Sequence, residues 1–254
     1  SLANISSFDG TYDLDTNHLL SDYVLNVATL EKLDFMTKKK LYGSLEAKGS
    51  IERKETFVKA TAVSGVLDGN TTVVFENDVL HVNADAFAFK RLSELVAVPY
   101  VFESSGVLVA DYNLTSKRGE FSASMAEGKL LQSELTNLVK SLSGFDMTQE
   151  LYRDSVLKGN INQDSVDYNV SMQGEKSSLH VTPGTYDIKS SQIRDEFDLN
   201  IEERDFNGVI KGDIKQPTVN LKGSEYLKKK LEHEIDKHVP ENAKGILKDI
   251  LKIF

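Results

Sequence analysis

The sequence predicts a mainly β fold, an elongated and curled antiparallel sheet forming a groove, with short helices attached and two amphipathic helices at its C-terminal end. Three observations predict it. The dominant hydropathy signal has a period of two. Polar turn clusters bound the alternating runs at short intervals. Segments with helical spacing are few and short until Ser224, where the pattern changes.

The strands can be taken in order. Leu80, Val82, Ala84 and Ala86 alternate with His81, Asn83 and Asp85. Leu108, Ala110, Tyr112 and Leu114 share one face, and beyond a turn signal at Ser116–Gly119 so do Phe121, Ala123 and Met125. Val166, Tyr168, Val170 and Met172 alternate with Asp167, Asn169 and Ser171, and Phe197, Leu199 and Ile201 alternate with Asp198, Asn200 and Glu202. Each run is a half-buried strand with one wet face, as antiparallel sheets allow. Roughly fifteen such runs are present, joined by clusters such as Asp68-Gly69-Asn70, Glu76-Asn77-Asp78 and Pro183-Gly184. At ~4.8 Å per strand they make a trough of about 70 Å.

Short helices interrupt the meander. Leu131, Leu135, Leu138, Val139 and Leu142 have helical spacing, and Gly144 supplies a C-terminal stop. Asp146 and Gln149 have the spacing of a capping box for a helix near 147–156. A strand followed by two leucines three apart recurs at Leu30/Leu33, Leu92/Leu95 and Leu135/Leu138, at unequal intervals of 62 and 43 residues. From Ser224, stripes of Leu227, Leu231 and Ile235, then Leu247, Ile250, Leu251 and Phe254, predict two amphipathic helices on either side of Pro240. We therefore divide the chain into a β-groove domain, 1–223, and a helical tail, 224–254, packed on or beside it. Lys228–Lys230 and the lysines that follow suit a membrane-surface or protein contact, although Glu232, Glu234 and Asp236 dilute the charge.

Composition narrows the function. The 254 residues are 40% hydrophobic and 27% charged, with a formal net charge of −9. An acidic surface repels phosphate backbones, which argues against nucleic-acid binding. No apolar run is long enough to cross a bilayer as a helix. The start Ser1-Leu2-Ala3 reads as a mature fragment, which leaves room for an export signal or anchor upstream. The absence of cysteine excludes thiolate metal sites and thiol catalysis. His18, His81, His180, His233 and His238 are scattered, and the pair Glu234/His238 offers too few ligands for zinc. No nucleophile elbow, phosphate-binding glycine loop or dinucleotide fingerprint occurs. We expect no catalytic residue, metal or cofactor.

A sheet this wide needs cover for its apolar face, and the helices are too few to give it. Curling into a trough leaves an apolar interior suited to an acyl chain. Each buried methylene contributes ~0.8 kcal/mol, so a chain of about sixteen carbons gains on the order of 13 kcal/mol before ordering costs. The groove candidates are Leu108, Ala110, Tyr112, Leu114, Val166, Tyr168, Val170 and Met172.

The order of parts resembles the C-terminal region of AsmA-like proteins. The resemblance is carried by 65-GVLDGNTTVVFENDVLHVNADAFAFKRLSELV-96, by 106-GVLVADYNLTSKRGEFSASMAEGKLLQSELTNLV-139, by 159-GNINQDSVDYNVSMQG-174 and by 208-GVIKGDIKQPTVNLKGSEYLKKKL-231, with Gly212–Pro217 the most family-like short motif. It implies a periplasmic protein of Gram-negative bacteria, tethered to the inner membrane by an N-terminal anchor missing from this chain. The family belongs to the bridge-like lipid-transfer group, so phospholipid is the implied partner, in outer-membrane biogenesis and envelope integrity. The alternatives are a non-enzymatic envelope scaffold or assembly factor with a closed β core, and an enzyme acting on glycan through two of the many carboxylates.

Overall fold

The computed structural model describes residues 3–33, 41–202 and 204–222. The strands are β1 (Asn4–Asp13), β2 (His18–Val27), β3 (Leu45–Lys54), β4 (Phe57–Ser64), β5 (Asn70–Glu76), β6 (Val79–Ala88), β7 (Phe102–Asn113), β8 (Arg118–Leu130), β9 (Tyr152–Asn162), β10 (Ser165–Gln173), β11 (Ser177–Asp187), β12 (Gln192–Ile201), β13 (Arg204–Asp213) and β14 (Thr218–Leu221). Among the described residues they form one fourteen-stranded sheet in strict sequence order. Every neighbouring pair is antiparallel, and β1 does not pair with β14, so the sheet is open. Thirteen strand steps at ~4.8 Å span about 62 Å.

The connections sort by rim. Odd-to-even connections are tight hairpins of two to four residues, such as Asn77-Asp78 and Gln163-Asp164. Among the even-to-odd connections, those after β2, β4, β6 and β8 are longer, and those after β10 and β12 are short. This rim carries all the described helix: a 3₁₀ turn at Leu30–Leu33, α1 (Phe89–Val96), α2 (Glu134–Ser143) and a 3₁₀ turn at Met147–Gln149. The three leucine pairs noted in the sequence therefore mark one edge of the trough. α2 ends where expected, with Gly144 in the left-handed region at φ 76°, whereas its start lies after Leu131, where Ser133 and Thr136 cap it reciprocally. α1 packs on β6 and β7, with Phe89 edge-on to Phe102 at 6.3 Å, and Arg91 pairs with Asp68 at 3.0 Å.

The local structure departs from the sequence pattern in several places. Asp146 does cap Thr148, but the helix expected near 147–156 is one 3₁₀ turn, and β9 takes over at Tyr152, which is fully buried. Pro183-Gly184 is not a turn. β11 runs through it, with a register shift between Val181 and Gly184. A bulge releases its residue from the ladder, so proline's missing N–H costs nothing there. In β6 a bulge between Ala84 and Phe87 turns Ala86 outwards at φ 54° and buries Phe87 in its place. The expected helices of 224–254, and Lys38–Lys40, lie outside the described residues.

The sheet is curled. Glu134, four residues after the end of β8, accepts a hydrogen bond from the Val219 amide of β14 at 3.2 Å. In a flat sheet, six strand steps separate β8 from β14 by about 29 Å. Four residues reach at most ~14 Å, and a glutamate side chain plus its hydrogen bond adds under about 10 Å. Only curvature brings the two together.

A repeated contact accompanies the curl. Tyr112 lies over Gly119, Phe121 over Gly159, Tyr168 over Gly184 and Phe197 over Gly208, always from one strand to the next in sequence. A Cβ at these glycines would stand 3.0, 2.6, 2.5 and 2.8 Å from the ring. The glycine lets the ring lie down on the backbone of the neighbouring strand. Two tyrosines extend the contact across a third strand. Tyr23 of β2 crosses Gly49 of β3 to donate to the Thr61 carbonyl of β4 at 2.8 Å, and Tyr168 crosses Gly184 to donate to Asp195 of β12 at 2.6 Å.

Gly49 tests this. Its added Cβ would sit 1.7 Å from the Thr61 carbonyl oxygen. Gly49→Ala is expected to cost at least about 2 kcal/mol and to lower the thermal midpoint by roughly 4–8 °C. Gly65→Ala, with only one atom at 4.0 Å, serves as the neutral control, and equal midpoints for the two variants would contradict the close approach.

Candidate functional site: the apolar face of the sheet

Register shows how the side chains line up. On one face, at the hairpin rim, runs Phe75–Leu80–Tyr112–Gly119–Ile161–Val166–Tyr186–Ile193. The next row inward is Val73–Val82–Ala110–Phe121–Gly159–Tyr168–Gly184–Asp195–Ile210–Val219. A third is Ala84–Leu108–Ala123–Leu157–Val170–Val181–Phe197–Gly208–Leu221. The reverse face, by contrast, carries Val74–His81–Asp111–Glu120–Asn160–Asp167–Thr185–Arg194–Lys211–Thr218. The period-two pattern thus resolves into one apolar and one polar face.

The apolar face is not uniform. Towards the helical rim it is a closed core in which Phe87, Met125, Leu135, Val139, Met147, Tyr152, Leu179 and Leu199 pack together. Towards the hairpin rim, Phe75, Leu80, Tyr112, Ile161, Val166 and Tyr186 are half-buried. Of the eight groove candidates, Ala110, Tyr112, Val166, Tyr168 and Val170 lie on this face and are half-buried, with Tyr168 and Val170 packed against the margin of the core. Leu108 and Met172, 8% and 5% exposed, belong to the closed core and line no open groove, because the helices cover that rim. Leu114 is also corrected. It lies beyond the end of β7 in the hairpin turn, 46% exposed, because Asn113 ends the strand.

One buried carboxylate interrupts the apolar face. Asp195, 7% exposed, accepts the Tyr168 hydroxyl at 2.6 Å. Burial raises its pKa, opposed by the hydrogen bonds from Tyr168 and the Thr185 backbone. Burial also raises the Tyr168 phenol, with Asp195 beside it adding to the shift. The alternation of the sequence could not single out this pair, since an acid at an inward position reads there as a break in the pattern.

The other buried carboxylate among the described residues is Glu150. It accepts the amides of Lys176 at 2.5 Å and Ser177 at 3.1 Å and the Ser177 hydroxyl, and so clasps the β10–β11 turn. Glu150 and Asp195 are each engaged by donors of their own sheet, an arrangement for holding strands. Among the described residues, no group of three or more histidines and acids is placed to hold a metal, and no helix is long and apolar enough to cross a membrane. On the reverse face His81 and Asp111 pair at 2.5 Å and are exposed.

Fold and site together define an open antiparallel β-meander, curled so that one apolar face is closed at the helical rim and half-open at the hairpin rim. No family model, curated protein or solved structure matches the chain.

Asp195 yields a pH prediction. Its folded-state pKa lies above the unfolded one, so its favourable contribution is complete below the unfolded carboxyl value of ~3.9 and is lost as pH rises through the folded value. Asp195→Asn keeps an acceptor for Tyr168 and removes the buried charge. The variant is expected to melt higher than the parent at neutral pH, with the gap closing below about pH 4. Thermal midpoints between pH 3 and 8 check this, and a pH-independent gap would contradict it.

Proposed function

We propose that the protein binds an acyl-chain lipid, with phospholipid the favoured class, along the half-open apolar face of its sheet. The observation that carries the reading is the hairpin-rim row from Phe75 to Tyr186. It crosses seven strands, about 29 Å of continuous apolar surface, and its side chains are only half-buried. Contiguous apolar surface on that scale marks an interaction site in a water-soluble domain. A lipid tail lying across the strands gains from each methylene it removes from water. The polar reverse face keeps the other side of the sheet in solvent.

The order of the motifs, similar to that of AsmA-like proteins, supports a periplasmic setting, an inner-membrane tether and a role in carrying lipid towards the outer membrane. With a sheet of about 62 Å, the domain acts as one section of a conduit or as a lipid-binding unit. Contact of 224–254 with a membrane surface or a protein belongs to the same proposal. A second reading, an envelope scaffold, is favoured by the closed core at the helical rim, where the sheet packs as an ordinary interior.

Native mass spectrometry after gentle extraction separates the two readings. Co-purified phospholipid is expected on the parent protein. Val166→Asp, on the half-open row, should reduce capture several-fold with the circular dichroism unchanged, whereas Val109→Asp, exposed on the reverse face, should leave capture intact. A lipid-free parent that also binds no apolar dye would favour the scaffold.

A further inference from the structure

We propose that β1 is a self-recognition edge: two copies of the chain pair antiparallel along β1, about a two-fold axis normal to the sheet. The inference does not depend on what the apolar face holds.

One turn recurs along the hairpin rim. Four strands on the hairpin rim end in Asn or Asp followed by Leu or Ile: Asp13-Leu14, Asn113-Leu114, Asp187-Ile188 and Asp213-Ile214. In each, the Asn or Asp side chain accepts an amide of its own turn: Asp15 at 2.8 Å, Ser116 at 2.7 Å, Ser190 at 2.7 Å and Lys215 at 2.8 Å. In three of them the Leu or Ile amide then reaches sideways to the hairpin before it. Leu114 donates to Asp78 at 2.8 Å, Ile188 to Asp164 at 2.8 Å and Ile214 to Ser191 at 2.9 Å. Leu14 occupies the same place at the end of β1. Among the described residues its amide has no such carbonyl, and its side chain is 85% exposed.

The two edges of the sheet differ. At β14 the Val219 amide is taken by Glu134, and α2 lies against the strand. No described element covers β1, whose Ile5 and Tyr12 are 69% and 55% exposed.

The three completed turns also fix a register. In each, the last residue of the strand stands opposite the first residue of its neighbour: Asn113 opposite Val79, Asp187 opposite Ser165 and Asp213 opposite Gln192. Applied to β1 against a second β1, the rule sets Asp13 opposite Asn4. Thr11 then meets Ser6, and Tyr12 meets Ile5. The pairing is its own mirror under the two-fold axis, as an isologous contact requires. Ile5 and Tyr12 pair with Leu25 and Leu19 of β2, and the shift between Ser7 and Gly10 keeps opposing residues on one face along the whole edge. The two exposed apolar side chains thus cover each other, and no two acids stand directly opposed. A two-fold axis normal to the sheet places both apolar faces on the same side.

A ten-residue edge buries less than the ~1,200 Å² of a standard interface, and each copy carries a formal charge of −9. The dimer is therefore weak and strengthens with salt. Sedimentation of the full chain from micromolar to millimolar concentration is expected to show a monomer–dimer equilibrium that shifts towards dimer as salt is raised. Disulfide trapping reads the register, since the chain has no cysteine of its own. A mixture of Ile5→Cys and Tyr12→Cys chains should cross-link at least about tenfold more than Ile5→Cys alone, whose two thiols would be about 23 Å apart. Both positions are exposed, and circular dichroism verifies folding. A monomer at every concentration, or cross-linking that ignores the 5–12 pairing, overturns the proposal.

Discussion

A ring laid flat over a glycine of the next strand is the contact on which the curl depends. On the concave face of a bent sheet, side chains converge and compete for room. Tyr112, Phe121, Tyr168 and Phe197 resolve the competition by lying down, which the missing Cβ at Gly119, Gly159, Gly184 and Gly208 permits. All four lean towards the later strand, so the bend accumulates in one direction. Each ring also keeps its apolar area against backbone. Tyr23 and Tyr168 add a polar tip that ties the strand after next, turning a packing preference into a fixed spacing of three strands.

The curl separates the two rims. Tight hairpins hold one rim at constant width, while the longer connections place α1, α2 and the 3₁₀ turns on the other. Those pieces fill one end of the trough, and the closed core lies there. The same face is consequently ordinary interior at one rim and accessible surface at the other. Leu108 and Leu80 belong to strands with the same alternation, yet one is core and the other lines the open row.

This accounts for what could be read in advance. Alternation reports which face a residue occupies, so the β class and the inward set Ala110, Tyr112, Val166, Tyr168 and Val170 were legible. It says nothing of position along the strand, so Leu108 and Met172 were indistinguishable from their half-open neighbours. Bulges were illegible too. One extra residue inverts the parity beyond it, which is why Phe87 rather than Ala86 is buried. The Asn/Asp-Leu/Ile turn was a readable signal that was missed, because its four occurrences are unevenly spaced and each resembles a routine turn. Asp146 is a cap, but Gln149 turns to the Thr148 hydroxyl and does not complete the box, and local capping could not outweigh the burial of Tyr152 in the sheet.

An open trough with a half-buried apolar face has an obvious competitor, the closed barrel, which removes both edges and the exposed apolar surface together. Closure would require β14 to pair with β1. The described β14 is four residues long against ten in β1, so most of that ladder would be unmade. The outward amide of Val219 is already bonded to Glu134, and closure would have to break that bond and displace α2. Glu134 therefore does two things with one carboxylate. It fixes the curvature by holding β14 within reach of the end of β8, and it blocks the edge through which the curl would otherwise run on to completion. The rings on glycine bend the sheet, and the apolar face stays open because Glu134 and α2 occupy the edge at which the bend would close.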